Sequence, residues 1–325
     1  MKKIAVIALA FIAVAACNKN SLPENSTPKS FTLQMPQPAP GDEETKTELI
    51  QNGESKWNQL AWSSGDKVFI TTKEDIVANR PTGMTVATYK TTDDKVANAT
   101  FTQEGATAIP AGSTYIVFYQ STNSPSGLGS HSDFAALKIP TTQTYAENGI
   151  AKGTMPVYGH GTALMALNME CPANIIRIKL YDGSGSDITV RSIVLSKPAE
   201  GAKSGIVGKF AIAVSDLENL GANSMWDDYE SGSSSYRSMT YNCSESGYLG
   251  TTTGTAKVFN MVISSYHGST KNVTATITYT KGTDPTIYTR TKELTSLTPA
   301  KQVDYGHIYT FPAKDISNDT PGYWD

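Results

Sequence analysis

Charge is scarce in this 325-residue chain: Asp, Glu, Lys and Arg make up 18% of it, against about 25% in an average soluble protein, and the formal net charge is −3. Nucleic acid binding needs a basic surface, which this balance does not supply, so no nucleic acid partner is expected. With four His and three Cys there is also little material for metal or thiol chemistry. The sequence contains no His-x-x-x-His, no Cys-x-x-Cys and no Gly-x-Ser-x-Gly. His131, His160, His267 and His307 are isolated from one another. Asp182-Gly-Ser-Gly-Ser-Asp187 lacks the alternating carboxylates and closing Glu of a calcium loop, and reads instead as a hairpin turn. Neither a catalytic group nor a ligand cluster shows itself, so the chain is expected to be non-enzymatic, with no cofactor and no metal.

Thr is plentiful at 40 residues, alongside 26 Gly and 16 Tyr, and this mixture of β-branched, aromatic and turn-forming residues favours strands. Period-2 alternation begins at Phe31, Leu33 and Met35, with Thr32 and Gln34 between them. Further strands are expected at 45–50, 56–62, 67–72, 85–91, 99–103, 114–120 and 136–140. A long Ser/Gly-rich loop covers 121–133, and a quieter stretch runs over 141–161. Alternation resumes at 163–169, 174–181, 189–195, 208–214, 257–263, 273–280, 287–294 and 307–311, with a weaker strand at 239–242 and a short helix within 216–226. Strands that follow one another without helical patterns between them point to an all-β chain of two antiparallel β-sandwiches in tandem. The expected organisation is a leader at 1–16, a tether at 17–27, an N-terminal sandwich at 28–160 and a C-terminal sandwich with a short tail at 161–325.

The leader is read from Lys2 and Lys3, followed by the 11-residue apolar run Ile4 to Val14, too short for a bilayer span of about 20 residues but suited to a signal peptide. No later stretch approaches 18 apolar residues. Val14-Ala15-Ala16-Cys17 resembles the bacterial lipobox, which makes Cys17 the candidate lipidation site and acyl chains such as palmitate the membrane anchor. Export leaves open a Cys171 to Cys243 disulfide, although two separately buried thiols fit as well. Exposed aromatics stack on sugar faces, which makes Trp57, Trp62, Trp226 and Trp324 the candidates for glycan contact; Trp62 reads as a core residue at a strand end, whereas Trp226, beside Asp227 and Asp228, is the better candidate for exposure.

Several segments together resemble the fimbrillin family, the lipoprotein pilins of Gram-negative anaerobes. They are Cys17 in its lipobox, Thr45-Lys46-Thr47, Trp62-Ser-Ser-Gly-Asp66-Lys-Val, Ile139-Pro-Thr-Thr-Gln143-x-Tyr145, Ala173-Asn-Ile-Ile-Arg-Ile-Lys-Leu180, Ile193-Val-Leu195, Leu297-Thr-Pro299 and Tyr305-Gly-His-Ile-Tyr309. The resemblance implies two transthyretin-like sandwiches, an outer-membrane lipoprotein at the cell surface or in a fimbrium, and a role in cell adhesion. It also implies partners among other fimbrial subunits and host or bacterial surface ligands. In polymerising members a protease cuts after a basic residue and removes the first strand, and a neighbour's strand fills the groove by β-strand addition. Here the candidate plug strand is Phe31, Leu33 and Met35, and the candidate processing site is Lys46. The family site is commonly Arg, yet the first Arg in this chain is Arg80, and the tail at 312–325 has little alternating apolar character. The alternative function is a non-polymerising surface lipoprotein that binds a glycan or host ligand.

Overall fold

The computed structural model describes residues 27–36, 39–40, 60–79, 84–119, 134–147, 149–198, 205–213, 227–228, 234–264, 273–294 and 306–317. Among these the chain is all-β, with 52% strand and 6% helix. The first sheet has seven strands: β1 (Ser30–Gln34), β3 (Lys67–Thr72), β4 (Ala87–Thr91), β5 (Asn98–Glu104), β6 (Tyr115–Tyr119), β9 (Val157–Gly161) and β10 (Asn168–Glu170). Their spatial order is β1-β5-β4-β3-β6-β9-β10, every pairing antiparallel, so β1 lies at one edge. The central strand β3 is buried along Val68 to Thr72 on both faces, whereas the edge strand β1 alternates buried and exposed residues. Their patterns differ because a central strand is covered twice and an edge strand once.

The second sheet is built on β11 (Ala173–Tyr181), in the order β16 (Lys257–Ser264), β11, β19 (His307–Thr310), β2 (Ala39–Pro40), with β20 (Lys314–Asp315) also paired to β11. A third holds β18 (Asp284–Glu293), β17 (Thr274–Lys281), β12 (Ile188–Ser196), β15 (Ser238–Asn242) and β8 (Thr142–Thr144) in that order. A small fourth sheet joins β14 (Asp227–Asp228), β13 (Gly208–Ala213) and β7 (Phe134–Ile139).

Several findings depart from what the sequence predicts. The sheets are not uniformly antiparallel: β11 runs parallel to β19 and β20, β19 to β2, and β15 to β8. Periodicity reports which face of a strand is buried and says nothing of its direction, and partners about a hundred residues apart or more give no local cue. The Asp182–Asp187 turn is not a hairpin, because β11 belongs to the second sheet and β12 to the third. Its polar residues instead close on themselves, with Asp182 accepting from Ser184 N and Oγ at 3.1 and 2.6 Å. Finally, a helix α1 (Lys73–Asn79) follows β3 directly. Thr72 caps it, its Oγ1 accepting from Asp75 N at 3.3 Å.

The strand expected at 163–169 is shorter and later, at Asn168–Glu170, and the quiet stretch before it contains β8 and β9. The expected change of unit at 160–161 falls inside β9, while β2, β7 and β8 pair with strands of the later half. The helix expected within 216–226 lies outside the described residues. No described helix is long and apolar enough to cross a membrane.

Segment 139–147 laces these sheets together. The Gln143 side chain, 3% exposed, takes both main-chain groups of Val262 on the outer edge of β16, with Nε2 to O at 2.7 Å and N to Oε1 at 2.9 Å. The carboxamide thus serves as a one-residue strand and satisfies an edge that would otherwise stay open. Gly208 shows the same economy of space: its φ is +108°, and a Cβ there would collide with the Tyr236 ring.

Candidate functional site

The candidate site is the seat of β1. Phe31, Leu33 and Met35 are 3%, 2% and 4% exposed, on the core face of the seven-stranded sheet. Phe31 meets Tyr89 edge-on at 4.8 Å and lies parallel to Phe101 at 6.3 Å between ring centroids. The ladder to β5 runs from Ser30 opposite Thr102 to Gln34 opposite Asn98. It is prolonged at both ends by Gln103 N to Lys29 O at 2.9 Å and Met35 N to Ala97 O at 2.7 Å. Tyr89 adds a hydroxyl bond to Pro28 O at 2.7 Å, and burial pushes its pKa up to about 12. Among the described residues β1 pairs with one strand only, so a single ladder, three buried side chains and a few side-chain bonds hold it. Burial of those side chains contributes about 1.5–3 kcal/mol each.

The Trp62-Ser-Ser-Gly-Asp66 motif builds a brace beside this seat. Gly65 has φ of +84°, the third position of a tight turn closed by Asp66 N to Ser63 O at 2.9 Å. Trp62 is fully buried, edge-on to both Phe101 at 5.0 Å and Tyr119 at 5.3 Å, and its indole N–H donates to Leu33 O at 3.1 Å. That bond reaches from the turn to the outer edge strand. At the other end of the turn Asp66, 3% exposed, accepts from Ser63 N at 2.7 Å and Tyr119 Oη at 3.1 Å, with Lys152 Nζ 3.4 Å away. Burial, then the neighbouring Asp66 carboxylate, raises the Tyr119 pKa far above its ordinary value. Gly153 N donates to Tyr119 Oη at 3.1 Å, which ties segment 149–157 to the brace.

A cleft of about 200 Å³ opens where the seven-stranded sheet meets the β11 sheet. Met35 at the end of β1 lines it, with Leu60, Ile150, Met155, Ile175 and Ile308. Its polar side chains are Ser63, Asp66, Tyr119, Lys152, Arg177 and Asn260. Arg177 Nε donates to Asn260 Oδ1 at 2.9 Å, and Asn260 Nδ2 donates to Gly149 O at 3.0 Å.

Sequence reasoning singled out Phe31, Leu33 and Met35 and placed Trp62 in the core, but assigned nothing to Asp66, Tyr119, Lys152 or Arg177. The available signal was a carboxylate directly after a Gly-bearing turn, just ahead of the apolar run Val68-Phe69-Ile70. Cys17 and Lys46 lie outside the described residues, as do Trp57, Trp226, Trp324, His131 and His267. Cys171 and Cys243 are free and buried. His160 packs its ring on Tyr158 at 5.9 Å. Among the described residues no group of three or more His, Cys, Asp or Glu side chains is placed to hold a metal.

No family model matches the chain, and no curated protein matches it in sequence. Solved structures provisionally assigned as cell adhesion proteins resemble it in part. One from Bacteroides ovatus is 11% identical, with a TM-score of 0.46 over 90% of this chain and 94% of that one. One from Bacteroides eggerthii is 15% identical, with a TM-score of 0.40 over 94% and 92%. One from Parabacteroides distasonis is 9% identical, with a TM-score of 0.40 over 89% and 88%. None of these likenesses is close enough to assign the chain to a family.

Proposed function

We propose that this protein is a structural, non-enzymatic subunit or anchor of a fimbria-like surface fibre, a fimbrillin-like lipoprotein held in the outer membrane by acyl chains on Cys17. The observation that carries the reading is β1: an edge strand, attached through one ladder, whose three inward side chains occupy a groove that a strand from the next subunit could fill once β1 is removed. Cleavage at Lys46 would detach it. The bared groove would then present Phe101 and Tyr89 together with the Trp62 indole N–H, which needs a carbonyl partner in place of Leu33. In this reading the units 28–160 and 161–325 are interleaved, since β2, β7 and β8 are lent to sheets of the later unit.

A second reading, a non-polymerising surface lipoprotein that binds a glycan or host ligand, is favoured by β2. Five residues after β1 the same segment pairs with β19, so the N-terminal stretch bridges two sheets and a cut at Lys46 must free both contacts. Digestion of the intact chain with a Lys-specific protease decides between them. Cleavage after Lys46, loss of the peptide and appearance of oligomers is the expected result. A cut chain that keeps its N-terminal peptide through gel filtration and stays monomeric would overturn the fibre reading. The anchor is tested separately by Cys17→Ser, which should release the protein from membranes; retention at high salt would reject Cys17 as the anchor.

A further inference from the structure

All five residues of segment 149–153 line the cleft between the first two sheets, and the segment is fastened on both sides of it. Toward the second sheet, Gly149 O accepts from Asn260 Nδ2 on β16 at 3.0 Å. Toward the first, Gly153 N donates to Tyr119 Oη on β6 at 3.1 Å, while Lys152 Nζ donates to Ser64 O at 2.6 Å and stands 3.4 Å from the Asp66 carboxylate. The segment is a strap between sheets. Its first-sheet fastenings, Ser64, Asp66 and Tyr119, all belong to the brace that also holds β1. There Trp62 donates its indole N–H to Leu33 O at 3.1 Å and sets its ring edge-on to Tyr119 at 5.3 Å between centroids. Both rings are buried. A continuous run of contacts therefore leads from Leu33 through Trp62, Tyr119 and Gly153 to Gly149 and Asn260, and a close-packed interior transmits displacement along such a run.

We infer that strap 149–153 is a latch on β1, coupled to it through Trp62 and Tyr119, fastened while the seat of β1 is filled and loosened when the seat is empty. Without β1 the Trp62 indole N–H loses its acceptor inside the core, and a buried donor left unpaired is costly enough to turn the ring or admit water. Either response disturbs the face that Trp62 presents to Tyr119, whose hydroxyl holds Gly153. The coupling is reciprocal: whatever free energy a seated β1 lends to the strap, a fastened strap lends to the retention of β1. One consequence rests on the proposed strand exchange. A neighbour's strand in the seat refastens the strap, so a filled subunit is stiff at the junction of its first two sheets and an empty one is loose there.

Amide hydrogen exchange of the intact chain, read by mass spectrometry, tests the coupling without any cut at Lys46. Lys152→Met keeps the aliphatic stem of a half-exposed side chain and removes its contacts with Ser64 and Asp66. It should speed exchange in the strap and also across residues 30–35, at least about fivefold, the factor that corresponds to one net hydrogen bond. From the opposite end, Trp62→Phe should speed exchange at 149–153 by a similar factor, although the substitution touches no bond of the strap itself. Strands β12 and β17 of the third sheet should exchange at the unsubstituted rate in both variants, which separates coupling from a general loss of stability. Unchanged exchange at 30–35 in Lys152→Met, unchanged exchange at 149–153 in Trp62→Phe, or equal acceleration of β12 and β17 would each overturn the inference. The result is distinguishable from that of the Lys46 digestion: a cut chain that keeps its β1 peptide rejects the fibre reading and leaves the latch standing.

Discussion

Two of the sheet edges among the described residues, β1 and β18, solve the same problem differently. β1 ends the seven-stranded sheet with its inward side chains fully buried; β18 ends the third sheet with exposed or half-exposed residues along its whole length, including Ile287 at 68%. Side-chain burial fastens the first edge, while the second is fastened by its hairpin to β17 and by one face of partial contacts, such as the Tyr288 ring on Tyr279 at 5.5 Å and Lys281 over Tyr288. The β18 edge is also guarded: Pro285 lacks an N–H, the register shifts between Tyr279 and Lys281, and Arg290 and Lys292 bring like charges to any copy that pairs there in register. An edge that repels strands needs no cover. An edge built to hold one must bury it, and β1 is the edge that does.

The contrast is broken most directly by truncating one anchor at each edge. Phe31→Ala should cost about 3–5 kcal/mol in urea unfolding, as expected for a buried aromatic, whereas Ile287→Ala should stay within about 0.5 kcal/mol. Equal effects would mean that β1 is no better seated than β18. Next in size, Asp66→Ala strands the Ser63 N–H and the Tyr119 hydroxyl, for an expected loss of about 1–3 kcal/mol. The exposed Asp284, which accepts from Thr286 N and Tyr288 Oη, should be replaceable by Ala without a measurable change. Trp62→Phe keeps most of the ring contact but removes the indole bond to Leu33 O, for about 1 kcal/mol, and should raise the rate at which protease-cut chains lose the β1 peptide.

The smallest effect at neutral pH appears only in alkali. Burial raises the pKa of Tyr89 to about 12, and those of Tyr119 and Tyr241 further still. A raised tyrosine pKa means that above about pH 10 the unfolded chain loses protons that the native one keeps, so stability is fully present below pH 10 and falls as pH rises toward 12 and beyond. Absorbance of tyrosinate at alkaline pH should therefore show Tyr119 and Tyr241 silent until the chain unfolds, and Tyr89 ionising only near pH 12. A smooth titration of every tyrosine in the folded protein would contradict the burial on which the β1 seat depends.

Most strands were legible in the sequence because alternation is a local property. Lys67–Thr72 was delimited to the residue, and β11, β12, β16 and β17 within one. Partnership was not legible: β2, β7 and β8 cross into sheets of the later half through pairings that no nearby residue announces. Helix α1 was missed because it follows a strand without a loop, although Thr72 three residues ahead of Asp75 is a capping signal. For the site, burial of Phe31, Leu33 and Met35 follows from their spacing alone. The bond from Trp62 to Leu33, across 29 residues, and the meeting of Arg177 with Lys152 in one cleft depend on tertiary geometry.

Cys171 and Cys243 turn this architecture into a pair of clocks. Cys171 stands two residues before β11, its Sγ 3.5 Å from Pro36 O, at the junction that β1, β2 and β19 share. Cys243 closes β15, with its main-chain N bonded to Arg191 O at 2.8 Å, inside the guarded sheet. Burial pushes the Cys243 pKa up to about 12 and that of Cys171 higher, so neither thiol meets an alkylating reagent in the closed fold. Each can be modified only when its own neighbourhood opens, and the ratio of the two modification rates therefore times the opening of one sheet against the other within a single native molecule.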